Sequence, residues 1–294
     1  MRGYLPSFTC DVPRDLGDAL ARLADAPGQW LPLAGGTDVM VVLAAGHLPP
    51  GRYLSIWNLA ELRGIEVDAH TITLGGLTTY TDVQRHPLVR AELPMLVEAA
   101  RLSGAVAIQN RGTLAGNVAN ASPAADSPPA LLAYDATIEL VSVRGTRRVR
   151  YADYHTGYKT SVRAPDELIA RIVVPRPAPG TIQVYRKIGT RKAQAIAKVG
   201  LATSMRMVGD VVEEIRLGLS SVAPKPLLAT RTAALVQGRR IAEAIDAAVA
   251  ALCDEVCPID DVRSTADYRR KVAGNLLFDV MTSFAHGQYP LPAL

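Results

Sequence analysis

The chain has 294 residues, 49% of them hydrophobic and 20% charged, and 32 Lys and Arg against 28 Asp and Glu leave a formal charge of +4. That is one large domain or two ordinary ones with ample material for a core, and the mild basicity excludes the clustered excess of a nucleic-acid binder. Three cysteines, Cys10, Cys253 and Cys257, are too few for a disulfide framework or a four-thiolate metal site, so a reduced, cytoplasmic chain is expected. Residues 1–14 hold no apolar core of signal-peptide length, and the longest apolar run, 39–45, is far short of a membrane span.

Leu16, Leu20 and Leu23 recur at helical spacing behind Pro13, predicting a helix over 15–26, and the apolar run 30–34 predicts a strand. The strand ends in Gly35, Gly36, Thr37 and Asp38, and 39–45 reads as a buried helix closed by Gly46. A strand, a glycine turn and a helix form the local geometry of many phosphate sites. Short β-branched or alternating runs at 53–56, 64–67 and 71–77 predict a second sheet. One helix is expected over 87–102, with Leu88, Leu93, Leu96, Val97 and Ala100 along one side. Residues 105–126 lack periodicity and are rich in Gly, Asn, Ala and Ser, as in a long loop that is either functional or disordered.

A short helix at 130–133 and strands at 137–143 and 168–174 follow, with Arg144, Arg147, Arg148 and Arg150 on a solvated edge strand. Pro175, Pro177, Pro179 and Gly180 mark a linker and a domain boundary. Beyond it, 199–208 and 211–222 flank the tight turn Gly209-Asp210, and helical patterns occupy 225–236, 241–256 and 264–286. The fold class is therefore α+β, ending in a small sheet with a helical cluster.

The motifs of hydrolases and nucleoside triphosphatases are absent. His47, His70, His86, His155 and His286 are isolated, and a surface role is expected for each. Cys253 and Cys257 stand one helical turn apart as a lone thiol pair, a weak metal signal that predicts packing rather than metal binding. Two segments rise above this background. Ala34 to Asp38 place two glycines at a strand end, where backbone N–H groups can approach an anion unobstructed. Thr113, Leu114, Ala115, Gly116 and Asn117 repeat the logic, with a hydroxyl and an amide bracketing small residues. Two such loops can clamp the two phosphates of one dinucleotide.

A more specific resemblance is carried by residues 33–39 (LAGGTDV), 109–126 (QNRGTLAGNVANASPAAD), Tyr185-Arg186-Lys187, and 195–199 (AIAKV). In order and spacing they resemble the FAD-binding medium subunit of the molybdenum hydroxylases, the family of xanthine dehydrogenase and of bacterial carbon monoxide, nicotine and aldehyde dehydrogenases. The resemblance implies a two-part, PCMH-type FAD-binding domain over 1–176, with subdomains of about 1–55 and 56–176. A C-terminal domain over 181–290, a three-stranded antiparallel sheet with a helical cluster, would follow. Leu33, Ala34, Gly35, Gly36, Thr37, Asp38 and Val39, with Thr113, Leu114, Ala115, Gly116 and Asn117, would then hold the pyrophosphate largely through backbone amides. Asp126 matches an acidic residue that contacts the cofactor, Ile169 a residue beside the flavin, and Lys187 a basic residue near it. A cation there would stabilise the reduced ring, and an apolar neighbour would keep water off it.

The resemblance also implies a heterotrimer, with FAD in this chain, two two-iron iron–sulfur clusters on a small partner subunit, and molybdopterin on a large one. Substrate would be hydroxylated at molybdenum, and electrons would pass through the clusters to FAD and on to an external acceptor. No catalytic residue, metal ligand, nucleic acid or membrane is expected for this chain. Two departures from the family pattern matter. The second loop usually reads Gly-Gly where this chain has Ala115-Gly116, and alanine at a positive φ would cost roughly 1 kcal/mol, so a negative φ is expected at Ala115. Three scattered cysteines also exclude the iron–sulfur insertion that some relatives carry. Two alternatives stay open: a flavin-free scaffold, supported by Ala115 alone, and a stand-alone FAD oxidoreductase using Tyr154, His155 and Tyr158.

Overall fold

In the computed structural model, which describes residues 7–48, 50–191 and 194–288, the N-terminal segment builds a small parallel sheet. The outer ends of the two expected domains, 1–6 and 289–290, lie outside the described residues. The order is β1 (Phe8–Asp11), α1 (Leu16–Asp25), β2 (Trp30–Leu33), α2 (Thr37–Ala44) and β3 (Gly51–Ser55). Asp15 caps α1 by accepting from the Asp18 N–H, and Leu20 and Leu23 of that helix pack with Trp30 and Leu54.

Two expectations are corrected here. The run at 53–56 does not open a second sheet, because β3 is the central strand of the first, parallel to both β1 and β2. A short apolar run reads alike in the middle of any sheet, so only its pairing tells which. The helix at 39–45 exists as α2 but is not buried: none of its residues is, and Met40 and Val41 are 58% and 64% exposed. A run that is apolar all round has no polar face to mark which side meets solvent, and this helix borders an open cavity.

The second unit contains β4 (Ile65–Val67), β5 (Thr71–Gly75), α3 (Tyr80–Arg85), α4 (Pro87–Glu92), α5 (Pro94–Leu102), α6 (Val106–Gln109), α7 (Leu114–Asn120) and α8 (Ser127–Ala133). It continues through β6 (Thr137–Ser142), β7 (Gly145–Arg150), α9 (Tyr151–Tyr154), β8 (His155–Gly157), β9 (Thr160–Ser161) and β10 (Leu168–Pro175). Its main sheet is antiparallel, in the order β4-β5-β10-β6-β7.

The single helix expected over 87–102 is split into α4 and α5. Pro94 lacks an N–H and drives Leu93 out of the helical region, to φ −121° and ψ 53°. The loop expected over 105–126 carries α6 and α7, which are too short to show a period. The edge strand β7 is solvated as expected, and its arginines find carboxylates: Arg147 on Glu167 at 2.6 Å, Arg148 on Glu139 at 3.1 Å and Arg150 on Asp135 at 2.9 Å. His155 contradicts the surface role. It is buried, with Nε2 3.1 Å from the Tyr151 hydroxyl, and burial followed by the nearby Lys225 cation lowers its pKa to about 4.

The third unit comprises β11 (Ile182–Ile188), β12 (Val199–Val208), β13 (Val211–Ser220), β14 (Leu227–Leu228), α10 (Thr230–Val236), α11 (Ile241–Glu255) and α12 (Ala266–Ala285). The antiparallel strands β11, β12 and β13 form its sheet, and β14 adds two residues at the edge, so the helix expected from 225 begins only at Thr230. The three helices cover one face of this sheet. Its other face lies on α8 so closely that a Cβ on Gly218 would stand 2.1 Å from the Pro129 carbonyl oxygen. Tyr185 and Ala202 belong to the same core as α5 and α8. Cys253 packs under Gly274 of α12, and among the described residues no His, Cys, Asp and Glu cluster could hold a metal ion.

Candidate functional site

The two loops singled out in the sequence meet across one cavity of about 1320 Å³. The first is the turn from β2 into α2. Gly36 caps α2 in the left-handed region at φ 76°, which favours glycine, and no side chain caps the first turn. Gly35 is required for a different reason. A Cβ there would fall 1.7 Å from the Arg111 carbonyl oxygen, so the backbone of the first loop rests directly on the chain leading into the second.

The second loop is the start of α7. Thr113 caps this helix, its hydroxyl accepting from the Gly116 N–H at 3.0 Å, while the Leu114 N–H donates to the Thr78 carbonyl at 3.0 Å. Ala115 lies inside the helix and outside the set of positive-φ residues, as expected, so the departure from Gly-Gly carries no strain. The loops are tied again where the Asn120 amide donates to Asp38 Oδ1 at 3.2 Å. The Arg111 guanidinium stacks 3.8 Å from the Trp57 ring centre beside them.

A third group closes the inner end of the cavity. Asp126, just before α8, accepts through Oδ2 from Lys187 Nζ at 2.8 Å and from the Ser103 hydroxyl at 3.2 Å. Its Oδ1 is shut off from solvent and has no hydrogen-bond partner among the described residues. The Tyr185 hydroxyl donates to the Asp126 carbonyl oxygen at 2.8 Å. Burial pushes the Asp126 carboxyl above the ordinary carboxylate range, against the pull of Lys187 and Ser103. Burial likewise raises the phenols of Tyr80 and Tyr185, which stay neutral. Ile169 lies on this wall at a register shift in β10, where a Cβ on Gly76 would meet the Ile169 carbonyl oxygen at 2.3 Å.

All the residues expected at the site line the cavity except Leu114 and Lys187. Leu114 is a core residue under α7. Lys187, with its side chain only 6% exposed, sits behind Asp126 and also donates to the Leu102 carbonyl at 3.0 Å, so it is neither a surface lysine nor a bare cation on the wall. Sequence reading passed over Tyr80, Gly76, Ser103 and, on the C-terminal wall, Ser221, Ile259 and Arg269, which stand with Ile196 of the 195–199 stretch. The pair Gly75-Gly76 at a strand end was the one available signal. Tyr154 and His155 lie off the cavity, whereas Tyr158 and Lys159, at the β8–β9 turn, border it.

The donor set fits a flavin dinucleotide. The cavity exceeds the roughly 300–1,000 Å³ of drug-sized pockets. It presents a glycine cradle without room for a Cβ and a capped helix start opposite, and Asp126 on its lining keeps one carboxylate oxygen buried without a partner among the described residues. Comparison with known proteins points the same way. The profile of the FAD binding domain in molybdopterin dehydrogenase matches residues 6–177, and that of the CO dehydrogenase flavoprotein C-terminal domain matches residues 184–284.

The carbon monoxide dehydrogenase medium chain of Hydrogenophaga pseudoflava is 32% identical over 273 residues, which cover 92% of this chain and 95% of that one. The putative xanthine dehydrogenase FAD-binding subunit of Escherichia coli is 33% identical, covering 86% and 88%. A solved structure of carbon monoxide dehydrogenase from Hydrogenophaga pseudoflava superposes with a TM-score of 0.92 at 31% identity, covering 97% of this chain and 99% of that one. With both profiles in register and relatives aligned almost end to end, this chain belongs to the FAD-binding medium subunits of the molybdenum hydroxylases, oxidoreductase subunits built of a FAD-binding domain and a C-terminal antiparallel sheet with helices.

Proposed function

We propose that this chain is the electron-exit subunit of a cytoplasmic heterotrimer. It takes electrons from iron–sulfur clusters on a small partner, while a large molybdopterin subunit carries out the hydroxylation, and it passes them to an external acceptor. The supporting observation is the convergence of the two small-residue loops on one cavity, through the contact of Gly35 with the Arg111 backbone. A nucleophile or a paired general acid and base is not needed for this task, because electron transfer requires only that the ring be held, oriented and shielded.

Under this reading the chain divides into a FAD-binding part, 1–176, and a C-terminal part, 181–290. The amides of 35–39 and that of Ala115 hold the pyrophosphate, with the positive ends of α2 and α7 toward it, since the N–H groups of Leu114, Gly116 and Asn117 already donate to Thr78 and Thr113. The bound flavin supplies reversible one- and two-electron chemistry. Ile169 excludes water from the ring, Tyr80 packs beside it, and Asp126 lines the same end of the cavity with its Oδ1 buried behind the surface. The flavin-free scaffold loses its support, since Ala115 is unstrained in α7. The stand-alone oxidoreductase loses Tyr154 and His155, which do not reach the cavity.

The test is a visible spectrum of the purified chain, with the heat-released cofactor identified by chromatography, both alone and after co-purification from its native host. FAD in the chain, joined by iron–sulfur absorbance and two partner bands in the native preparation, is expected. A colourless folded chain in both preparations would overturn the proposal.

A further inference from the structure

We infer that Asp126 Oδ1 takes up a proton when the flavin is reduced and releases it on reoxidation, so that this carboxylate carries half of the proton traffic of the site. The inference rests on the functional reading above, which puts the ring at the end of the cavity formed by Asp126 and Ile169.

The geometry separates the two oxygens of this carboxylate. Oδ2 is held by Lys187 Nζ at 2.8 Å and by the Ser103 hydroxyl at 3.2 Å, which fixes the plane of the group. Oδ1 is enclosed, without a partner, in a residue that lines the cavity. A buried acceptor left unpaired costs on the order of 1–3 kcal/mol, and proteins keep such atoms where a ligand or a proton completes them.

Charge balance gives the direction of the step. With the flavin oxidised, Asp126 and Lys187 form a neutral pair and the ring is neutral. Two electrons from the iron–sulfur partner and one proton from solvent leave the reduced ring with one negative charge. A second solvent proton binds Oδ1, so that the uncompensated Lys187 ammonium now balances the ring, and the net charge of the enclosed site stays at zero. When the acceptor removes two electrons, both protons return to solvent. A low-dielectric cavity favours the route that never leaves it charged.

The other groups that face Asp126 do not compete for this proton. Tyr80 of α3 and Tyr185 of β11 are buried phenols whose pKa values are raised, so both already hold their protons. Ser103, after α5, donates to Oδ2. Glu98 of α5 is engaged by Arg101 at 2.6 Å and points to the surface. Burial already holds the Asp126 carboxyl above its ordinary range, and a negative charge arriving beside it shifts it further in the same direction.

The experiment uses the full chain loaded with FAD and reduced at an electrode through methyl viologen, which carries electrons without protons, in weakly buffered solution at neutral pH, with proton uptake read by an indicator dye. Two protons per flavin are expected for the native chain and one for Asp126→Asn, with the slope of reduction potential against pH halved in the variant. Equal uptake and equal slope in the two proteins would overturn the inference while leaving the functional reading intact. A chain that binds no FAD would overturn that reading and this inference with it. Should Asp126→Asn fail to hold FAD, the infrared difference spectrum of the native chain decides. Appearance on reduction of the C=O stretch of a protonated carboxylic acid supports the inference, and its absence overturns it.

Discussion

The two phosphate loops share one chemical logic and differ in what holds them. The second rests on its own core: Leu114 and Val118 of α7 are fully buried, Thr113 caps the helix, and the strand β10 lies beneath. The first rests on almost nothing of its own, since α2 buries no residue and its apolar side chains face the cavity and the surface. Its position is set by the Gly35 backbone lying on Arg111 and by Asn120 reaching Asp38. One loop is therefore built into the fold and the other is leaned against it, and cofactor binding should stabilise the leaning loop more.

The largest effect is expected from breaking the contact between the loops. Gly35→Val drives a side chain into the Arg111 carbonyl, and the flavin-to-protein ratio should fall to near zero while circular dichroism still shows a folded chain; flavin content equal to that of the native protein would remove the two-loop site. The next test sets the two helices against each other. Leu114→Ala empties a core position and should cost roughly 2–5 kcal/mol by urea denaturation, whereas Met40→Ser on the exposed α2 should stay within about 0.5 kcal/mol. Comparable losses would show that α2 is packed against something after all.

Acid probes the junction at which the Lys225 ammonium donates to the His155 carbonyl at 2.7 Å. His155 has a folded pKa near 4, below its unfolded value of about 6.5, so the unfolded chain binds the proton more readily. The resulting stability is present above about pH 6.5 and is lost as the pH falls towards about 4. Denaturation midpoints measured at pH 7 and pH 5 should therefore differ less in His155→Gln than in the native chain, and an unchanged difference would show that this imidazole is not the group that titrates. The smallest effect is reserved for Ala115→Gly. It restores the usual family sequence yet should destabilise α7 by about 1 kcal/mol without raising flavin content, because Ala115 already has helical φ. A gain in flavin affinity would mean that the second loop needs a conformation it does not show.

Much of this site was legible in the chain itself. Gly35-Gly36 and the Thr113–Asn117 stretch announce themselves because backbone that must approach an anion, or another backbone, tolerates few residue types. The hairpin about Gly209-Asp210 was readable for the same reason, since a two-residue turn restricts its composition. The helices at 87–102 and 105–126 were misread in opposite senses. Pro94 divides a continuous apolar pattern at the backbone, and α6 and α7 are shorter than any period can reveal. The burial of His155 was hidden too, because its partners Tyr151 and Lys225 come from different units of the fold.

What the sequence determined by itself is local: the glycine turns, the strand alternation and the order of the motifs that mark the family. These depend on residues near one another in the chain, where sterics and hydrogen bonding act over a few bonds. The tertiary structure decided which strand sits at the centre of the first sheet, that α2 is uncovered, and that Lys187 stands behind Asp126 instead of on the wall. Those outcomes depend on contacts between segments far apart in sequence, such as the 2.8 Å approach of Lys187 to Asp126, and a buried charge takes its role from the partner that folding brings to it.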